Sequence, residues 1–270
     1  MKLIETEGII LKTYALGDAD KIVLILTRQE GLRRLTVRGA KKLKSRFTGS
    51  LEPYTILNLI YSQKDEADLG KLFEAQLIES HFHLARQLET QIALAYASEL
   101  LIAATPPHEP NEKLYRMLRA CLQSIDLTSH DFEAVKAIVL YFEIWLLRLG
   151  GFLPSFKKCA QCQRALKRQS IYFQPDSSQF VCGDCASQSL WREIAVGSLI
   201  NVLEKALAFP PAEFADVARR AATQLPSLQK IIHTLLSKAL EYNPQDWSNE
   251  VFVHAESQIK NSLKVEQIGA

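Results

Sequence analysis

The sequence predicts an α+β chain of several domains: a small β-barrel, a helical domain and an inserted module built on four cysteines. The first eighty residues have the pattern of short strands with tight turns, and helical periodicity begins after about His81. Two Cys-x-x-Cys pairs then interrupt the helices. The predicted boundaries are 1–80 for the barrel, 81–156 for the helical domain, 157–188 for the four-cysteine insert and 189–270 for the remaining helices of the helical domain.

Composition predicts a globular protein of ordinary type. The 270 residues are 47% hydrophobic and 23% charged, with a net charge of +2. Residues 1–7 carry two acids where a signal peptide needs a basic stretch, and the longest apolar stretches fall short of the ~20 residues of a membrane span. We expect a soluble cytoplasmic protein without membrane contact, in which paired cysteines indicate metal binding or redox activity.

The N-terminal strands are predicted at 8–12, 22–27, 32–37, 54–61 and 72–75, where branched and apolar residues recur between turn residues. Five short strands joined by tight turns favour a closed or nearly closed antiparallel barrel. Asp18 and Asp20 flank Ala19 between the first two strands. This arrangement predicts a turn in preference to a metal-binding carboxylate pair.

Helices are predicted on both sides of the cysteines. Residues 92–104 form one, and Asn111 is a candidate N-cap for a second that runs to about 124. The segment 132–149 is apolar on most sides, which predicts the buried centre of a bundle. Further helices are expected at 191–208, 212–225 and 227–242, and the polar end from about 258 is expected to fray.

The cysteines predict a structural zinc site with Cys159, Cys162, Cys182 and Cys185 as ligands. Nineteen residues separate the two pairs, which is typical of zinc ribbons, and a hairpin of 170–174 with 179–181 would bring the pairs together. Four thiolates leave no open position for substrate. A redox pair, the alternative, usually has a single such motif. Cys121, alone in a helix, is expected to be a buried small hydrophobe.

Several cations near the cysteines are expected to offset the negative charge of four thiolates. These are Lys157, Lys158, Arg164, Lys167 and Arg168.

Seven basic residues and no acid lie between Arg33 and Arg46. On a strand, Arg34 and Arg38 would share the outer face while Leu35 points to the core. We call the exposed cations the basic ridge, which comprises Arg34, Arg38, Lys41, Lys42, Lys44 and Arg46. Phe47 and Tyr54 are expected to offer flat surfaces beside it. Basic groups beside aromatics on a small barrel predict a single-strand nucleic-acid groove, and a solvated loop is the alternative.

No constellation predicts an enzyme. His81 and His83 stand two residues apart and are expected at the surface, and no phosphate-binding glycine loop, nucleophile elbow or zinc-hydrolase motif occurs. Two other classes remain open. A protein–protein adaptor would use the zinc module and helices while the basic loop binds nothing, and a zinc-dependent hydrolase would need an open metal site.

Six short runs follow one another along the chain at 7–13, 17–23, 27–31, 39–42, 44–47 and 51–54. Their order and spacing resemble the bacterial RecO family of recombination mediators, and the likeness covers about residues 5–203. It implies an N-terminal OB-fold barrel, a helical domain and a zinc-finger insert. It also implies a non-enzymatic activity: binding single- and double-stranded DNA and annealing complementary strands.

The resemblance further implies partners and DNA contacts. With RecR, such a protein helps load RecA onto DNA coated by single-strand binding protein, in the bacterial cytoplasm at the nucleoid. The family's basic barrel residues match all six residues of the basic ridge, so the resemblance assigns DNA contact to them. The family's usual basic helical ending is replaced here by residues 242–247.

Overall fold

The computed structural model describes residues 3–64, 68–128, 131–166, 171–186, 194–241 and 244. The strands are β1 Leu3–Leu16, β2 Asp20–Thr27, β3 Gly31–Val37, β4 Thr55–Ser62, β5 Gly70–Ser80, β6 Ile171–Gln174, β7 Gln179–Cys182 and β8 Ile194–Ala195. The helices are α1 Leu88–Ala104, α2 Glu112–Thr128, α3 Phe132–Leu149, α4 Gly183–Ala186, α5 Gly197–Ala208, α6 Pro211–Arg220 and α7 Leu225–Ala239. The predicted frayed end beyond 258 lies outside the described residues.

The five N-terminal strands close into a barrel in the order β1-β2-β3-β5-β4. The predicted barrel was antiparallel throughout, and that prediction is wrong for one pair, because β3 and β5 run parallel. The cause is the long β3–β4 loop. It carries the chain across to β1, where β4 pairs antiparallel, and β5 then returns antiparallel to β4 in the direction of β3.

The barrel interior is filled by alternate strand residues and by the β3–β4 loop. Ile10, Leu35 and Leu59 are fully buried there, and Phe47 from the loop packs among them with 4% of its surface exposed. Tyr54 is 7% exposed and packs against the helical domain. The expectation that Phe47 and Tyr54 present flat exposed surfaces is therefore wrong, because both rings are buried in hydrophobic clusters.

Helix α3 is the centre of the helical domain, as its apolar pattern predicts. It contacts α1, α2, α5, α6 and α7, and Val135, Ile138 and Phe142 are completely or almost completely buried. Asn111 caps α2 as predicted, because its side-chain oxygen accepts a hydrogen bond from the Leu114 N–H at 3.0 Å. In the described part of the chain, no helix combines the length and apolarity that crossing a membrane requires.

The outer face of the barrel packs with the helices in one hydrophobic cluster, which is separate from the barrel interior. Ile9, Leu24 and Leu32 on the outer face of the barrel pack in the same cluster as α1, α2 and α3. Ion pairs also cross the junction, among them Lys12 with Glu99 at 3.0 Å and Arg28 with Glu112 at 2.9 Å. Packing and ion pairs at the junction therefore fix the position of the outer β1–β3 face relative to α1.

Beyond the cysteines, the helix predicted at 212–225 already ends at Arg220, and two further differences affect where helices begin. A helix was expected from 191, but 191–193 lie outside the described residues and 194–195 form β8, which pairs with β6. Helix α5 therefore begins only at Gly197. Pro226 was expected to separate two helices, yet it lies in the first turn of α7, where its missing N–H costs no hydrogen bond.

Candidate metal centre and nucleic-acid interface

The predicted hairpin brings the two cysteine pairs together. Strands β6 and β7 pair in register from Ile171 opposite Cys182 to Gln174 opposite Gln179, with a four-residue turn between them. Phe173 and Phe180 are buried on this hairpin and lie 5.3 Å apart between ring centroids. Residue 170, the predicted start of the hairpin, lies outside the described residues. The hairpin positions Cys182 and Cys185 over the loop that carries Cys159 and Cys162.

The four cysteine side chains have the geometry of a tetrahedral metal site. Their Sγ atoms all lie within 4.8 Å of one another, and the Sγ atoms of Cys162 and Cys182 are 3.7 Å apart. A tetrahedron with Zn–S bonds of about 2.3 Å has sulfur–sulfur edges of about 3.8 Å. The donor set and the spacing therefore fit one metal ion held by four thiolates.

Hydrogen bonds to the sulfurs favour the charged thiolate at part of this cluster. The guanidinium of Arg164 donates to Cys162 Sγ at 3.4 Å, and this bond lowers the pKa of Cys162 to about 6. Burial acts in the opposite direction at Cys185, where it raises the thiol pKa to about 12. The Cys182 N–H also donates to Cys159 Sγ at 3.4 Å. Arg164 also forms an exposed ion pair with Asp184 at 2.9 Å, so one guanidinium contacts both a cysteine sulfur and a carboxylate.

Of the other predicted counter-charges, the two that the structure describes do not contact the sulfurs. Lys157 and Lys158 are exposed, whereas Lys167 and Arg168 lie outside the described residues.

Cys121 does not belong to the four-cysteine cluster. It is 3% exposed in α2, its Sγ lies 3.9 Å from Met117 Sδ, and burial raises the pKa of its thiol. The prediction of a buried hydrophobe is confirmed for Cys121.

The six residues of the basic ridge are all exposed. On β3, Arg34 and Arg38 point outward while Leu35 and Val37 are fully buried, as the alternation predicts. Within the described residues none of the six makes an ion pair with a carboxylate. Arg33, by contrast, points inward and pairs with Glu30 at 3.0 Å. The ridge is therefore a set of cations whose charge no described acid neutralises.

Backbone contacts hold the loop of the ridge against the β1–β2 turn. The Lys41 N–H donates to the Ala19 carbonyl at 2.9 Å, and Lys41 Nζ donates to the Gly17 carbonyl at 3.0 Å. Asp18 lies in the β1–β2 turn as predicted, whereas Asp20 begins β2 and accepts a hydrogen bond from the Gly39 N–H at 2.7 Å. Phe47 anchors the far side of the loop in the core.

The two histidines occupy a different environment from the predicted one. His81 is 1% exposed, with Nδ1 3.1 Å from Asp126 and Nε2 3.2 Å from Glu79. His83 Nε2 lies 2.6 Å from Asp126. The surface expectation is wrong for His81, which lies where the last strand of the barrel meets α2. A lone polar residue has no periodicity that would reveal such burial.

Tyr14 is a further exposed residue of this surface, and no sequence pattern had pointed to it. Register places it opposite Ile22 on the outer face of β1 and β2, and 49% of its surface is exposed. It lines a groove that also contains Arg34 of the basic ridge. A β-bulge between Ile10 and Lys12 shifts the alternation of β1, so strict alternation would have placed Tyr14 on the same face as the buried Ile10.

Comparison with known families identifies the chain. Residues 1–81 match the family model for the recombination protein O N terminal region, and residues 85–244 match the model for its C terminal region. The DNA repair protein RecO of Koribacter versatilis is 30% identical over 180 residues, 67% of this chain and 71% of that protein.

Two further relatives extend the match. The DNA repair protein RecO of Synechococcus sp. (strain JA-3-3Ab) is 30% identical over 79% of this chain and 72% of its own length. That of Thermodesulfovibrio yellowstonii is 27% identical over 91% of this chain and 96% of its own length. Matches of this extent, on a chain with the strand-rich N terminus, helices and cysteine cluster described above, mean that it belongs to the RecO family of DNA repair proteins.

Proposed function

We propose that this protein is a DNA-binding recombination mediator. In this role it binds single- and double-stranded DNA and anneals complementary strands. Together with RecR, it helps load RecA onto DNA coated by single-strand binding protein. Its work is binding, without a catalytic step, and takes place in the bacterial cytoplasm at the nucleoid.

The observation that carries the proposal is the basic ridge. Six exposed cations without described carboxylate partners repel one another, and a polyanion relieves that repulsion. DNA offers one phosphate charge per ~1.7 Å of duplex axis, and binding releases the counterions that this charge holds. A surface that neutralises phosphates on two strands at once reduces their mutual repulsion and lets their bases pair.

The barrel supports an OB-fold assignment for the DNA-binding unit. Its five strands, the order β1-β2-β3-β5-β4 and the parallel β3–β5 pair have the connectivity of a five-stranded Greek-key barrel. We propose residues 1–80 as this OB-fold unit, 81–156 and 189–270 as a helical unit, and 157–188 as a zinc-finger insert. The shared hydrophobic cluster gives these units one relative orientation.

We propose one structural Zn²⁺ at Cys159, Cys162, Cys182 and Cys185. The ion would hold the hairpin against the loop of the first cysteine pair, and four thiolates leave it no position for water or substrate. Since the ligands must be deprotonated, the thiolate-favouring hydrogen bond from Arg164 assists binding. The insert then braces the neighbouring helices and does not perform chemistry.

A strand-annealing assay tests the proposed function. Two complementary oligonucleotides are mixed with the protein, with and without single-strand binding protein, and duplex formation is followed by fluorescence energy transfer. We expect annealing to accelerate in both conditions and to slow as salt rises, because phosphate contacts weaken with salt. Absence of acceleration, with only weak and diffuse DNA binding at moderate salt, would favour the adaptor function instead.

A further inference from the structure

A groove lies between the barrel and the end of α1, next to the basic ridge. Its floor is the outer face of β1, β2 and β3, with Tyr14, Ile22 and Leu24, and its opposite wall carries Ile102 and His108. The groove encloses about 710 Å³. Ligand pockets typically measure about 300–1,000 Å³ and have apolar walls with a few polar groups. The volume and the walls therefore suit a planar aromatic ligand.

Charge links this groove to the basic ridge. Arg34 is a residue of the basic ridge that also lines the groove. Within the described residues it makes no ion pair, so its charge is available to a ligand. Lys41 contacts the carbonyl of Gly17, three residues beyond Tyr14. Three residues of strand span about 10 Å. A chain whose phosphates lie on the ridge would thus pass directly by the mouth of the groove.

The side chains of the groove suit unpaired bases. Tyr14 offers a half-exposed ring, and Arg34 offers a guanidinium plane on which a base can stack. Asp68 and His108 also line the groove, and their side chains can hydrogen-bond with base edges. Duplex DNA keeps its bases paired and stacked inside the helix, so only a single strand can present them here.

We propose that this groove is a nucleobase subsite for single-stranded DNA, in which Tyr14 is the stacking residue. The inference rests on the proposed DNA-binding function and adds to it a distinction between strands. The basic ridge binds phosphates of both single and double strands, and the groove binds bases of single strands alone. Affinity for a single strand then has a component that does not depend on salt.

The test uses the full-length protein and two fluorescent 20-mers with the same number of phosphates, oligothymidine and an abasic chain. Base–aromatic stacking is typically worth about 5- to 150-fold in affinity per base. We expect the wild type to prefer oligothymidine by at least that lower factor, and Tyr14→Ala to remove the preference without changing affinity for the abasic chain or for duplex DNA. Tyr14→Phe retains the ring and should keep the preference.

Phe82→Ala is the matched control, because Phe82 is a similarly exposed aromatic (45%) that does not line the groove. It should leave the preference intact. Equal affinity of the wild type for the two 20-mers, or a preference that survives in Tyr14→Ala, overturns the base subsite and leaves the ridge untouched. Failure of the wild type to bind either 20-mer removes the proposed DNA-binding function itself, and the subsite with it.

Discussion

The guanidinium of Arg46 lies 5.0 Å from the centroid of the Phe47 ring, and these adjacent residues face opposite environments. Arg46 is exposed on the basic ridge, whereas Phe47 is buried in the barrel interior. A cation–π contact of this kind stabilises by about 0.5–1 kcal/mol at an exposed site. The ring of Phe47 therefore anchors the loop in the core and also contacts Arg46, a candidate phosphate-binding residue.

We expect Phe47→Ala to weaken both the fold and DNA binding. Loss of a buried phenylalanine typically costs about 3–5 kcal/mol in the free energy of unfolding. The loop that carries Lys41, Lys42 and Lys44 would lose its anchor as well. Urea unfolding measures the first effect and oligonucleotide titration the second. Leu43→Ala, at a fully exposed position of the same loop, is the control and should change stability by less than about 0.5 kcal/mol.

Gly31 lies where the barrel closely approaches the connection between α1 and α2. Its φ is +72°, and a Cβ there would lie 2.2 Å from the Glu109 carbonyl oxygen of the α1–α2 connection. Gly49 has a similar φ of +77° but open space around it. We expect Gly49→Ala to cost about 1–2 kcal/mol of unfolding free energy from backbone strain alone. Gly31→Ala should cost clearly more by thermal unfolding, and equal costs would contradict the close junction.

Asp131 predicts a pH dependence of stability. Its carboxylate caps α3 by accepting from the Ala134 N–H at 3.2 Å, and this bond, with a further contribution from Arg219, lowers its pKa. Because the pKa is lower in the folded state, Asp131 stabilises the fold above its unfolded pKa of about 3.9. That contribution disappears as the pH falls through the folded value.

Asp131→Ala should therefore lower the free energy of unfolding by about 0.5–2 kcal/mol at pH 7, as loss of an N-cap does. The difference from wild type should shrink when the pH falls below about 4. Asp131→Asn keeps a capping oxygen and should lose less. A deficit of Asp131→Ala that stays constant down to low pH would show that the carboxylate charge has no part in the cap.

Metal removal tests whether the proposed zinc stabilises the insert and its neighbouring helices. We expect one zinc per chain in the purified protein and almost none in Cys159→Ser, while Cys121→Ala retains its metal because that thiol lies outside the cluster. Structural sites contribute folding energy directly, so chelation should raise hydrogen exchange in β6, β7 and the neighbouring helices more than in the barrel. Loss of DNA binding together with zinc, while the barrel stays protected, would contradict this division of labour.

Local patterns predicted much of this fold because they report burial directly. Alternation placed Leu35 and Val37 inside and Arg34 outside, and cysteine spacing identified the four clustered sulfurs. The parallel β3–β5 pair could not be read in this way, since pairing direction depends on where a long loop leads. Phe47 was misplaced because an aromatic beside cations suits either a core anchor or a stacking surface, and only the tertiary structure separates the two.

The site was predicted less completely than the fold. The basic ridge was visible as a run of charge, and its exposure is confirmed, but its contact with DNA stays a prediction. The groove beside it is formed by residues as distant in sequence as Tyr14 and His108. No spacing rule connects such residues, because the junction between barrel and helices brings them together.

The salt dependence of single-strand binding tests the central claim most directly. Each phosphate neutralised on a single strand contributes roughly 0.7 to the slope of log affinity against log salt. Replacing Lys41, Lys42 and Lys44 by alanine should therefore reduce the slope by about 2. The charge-matched control replaces Lys12, Lys21 and Lys136, which already pair with Glu99, Glu52 and Glu133. We predict that the control keeps the wild-type slope; an unchanged slope in the ridge variant, or an equal fall in both, would contradict the assignment of DNA binding to the ridge.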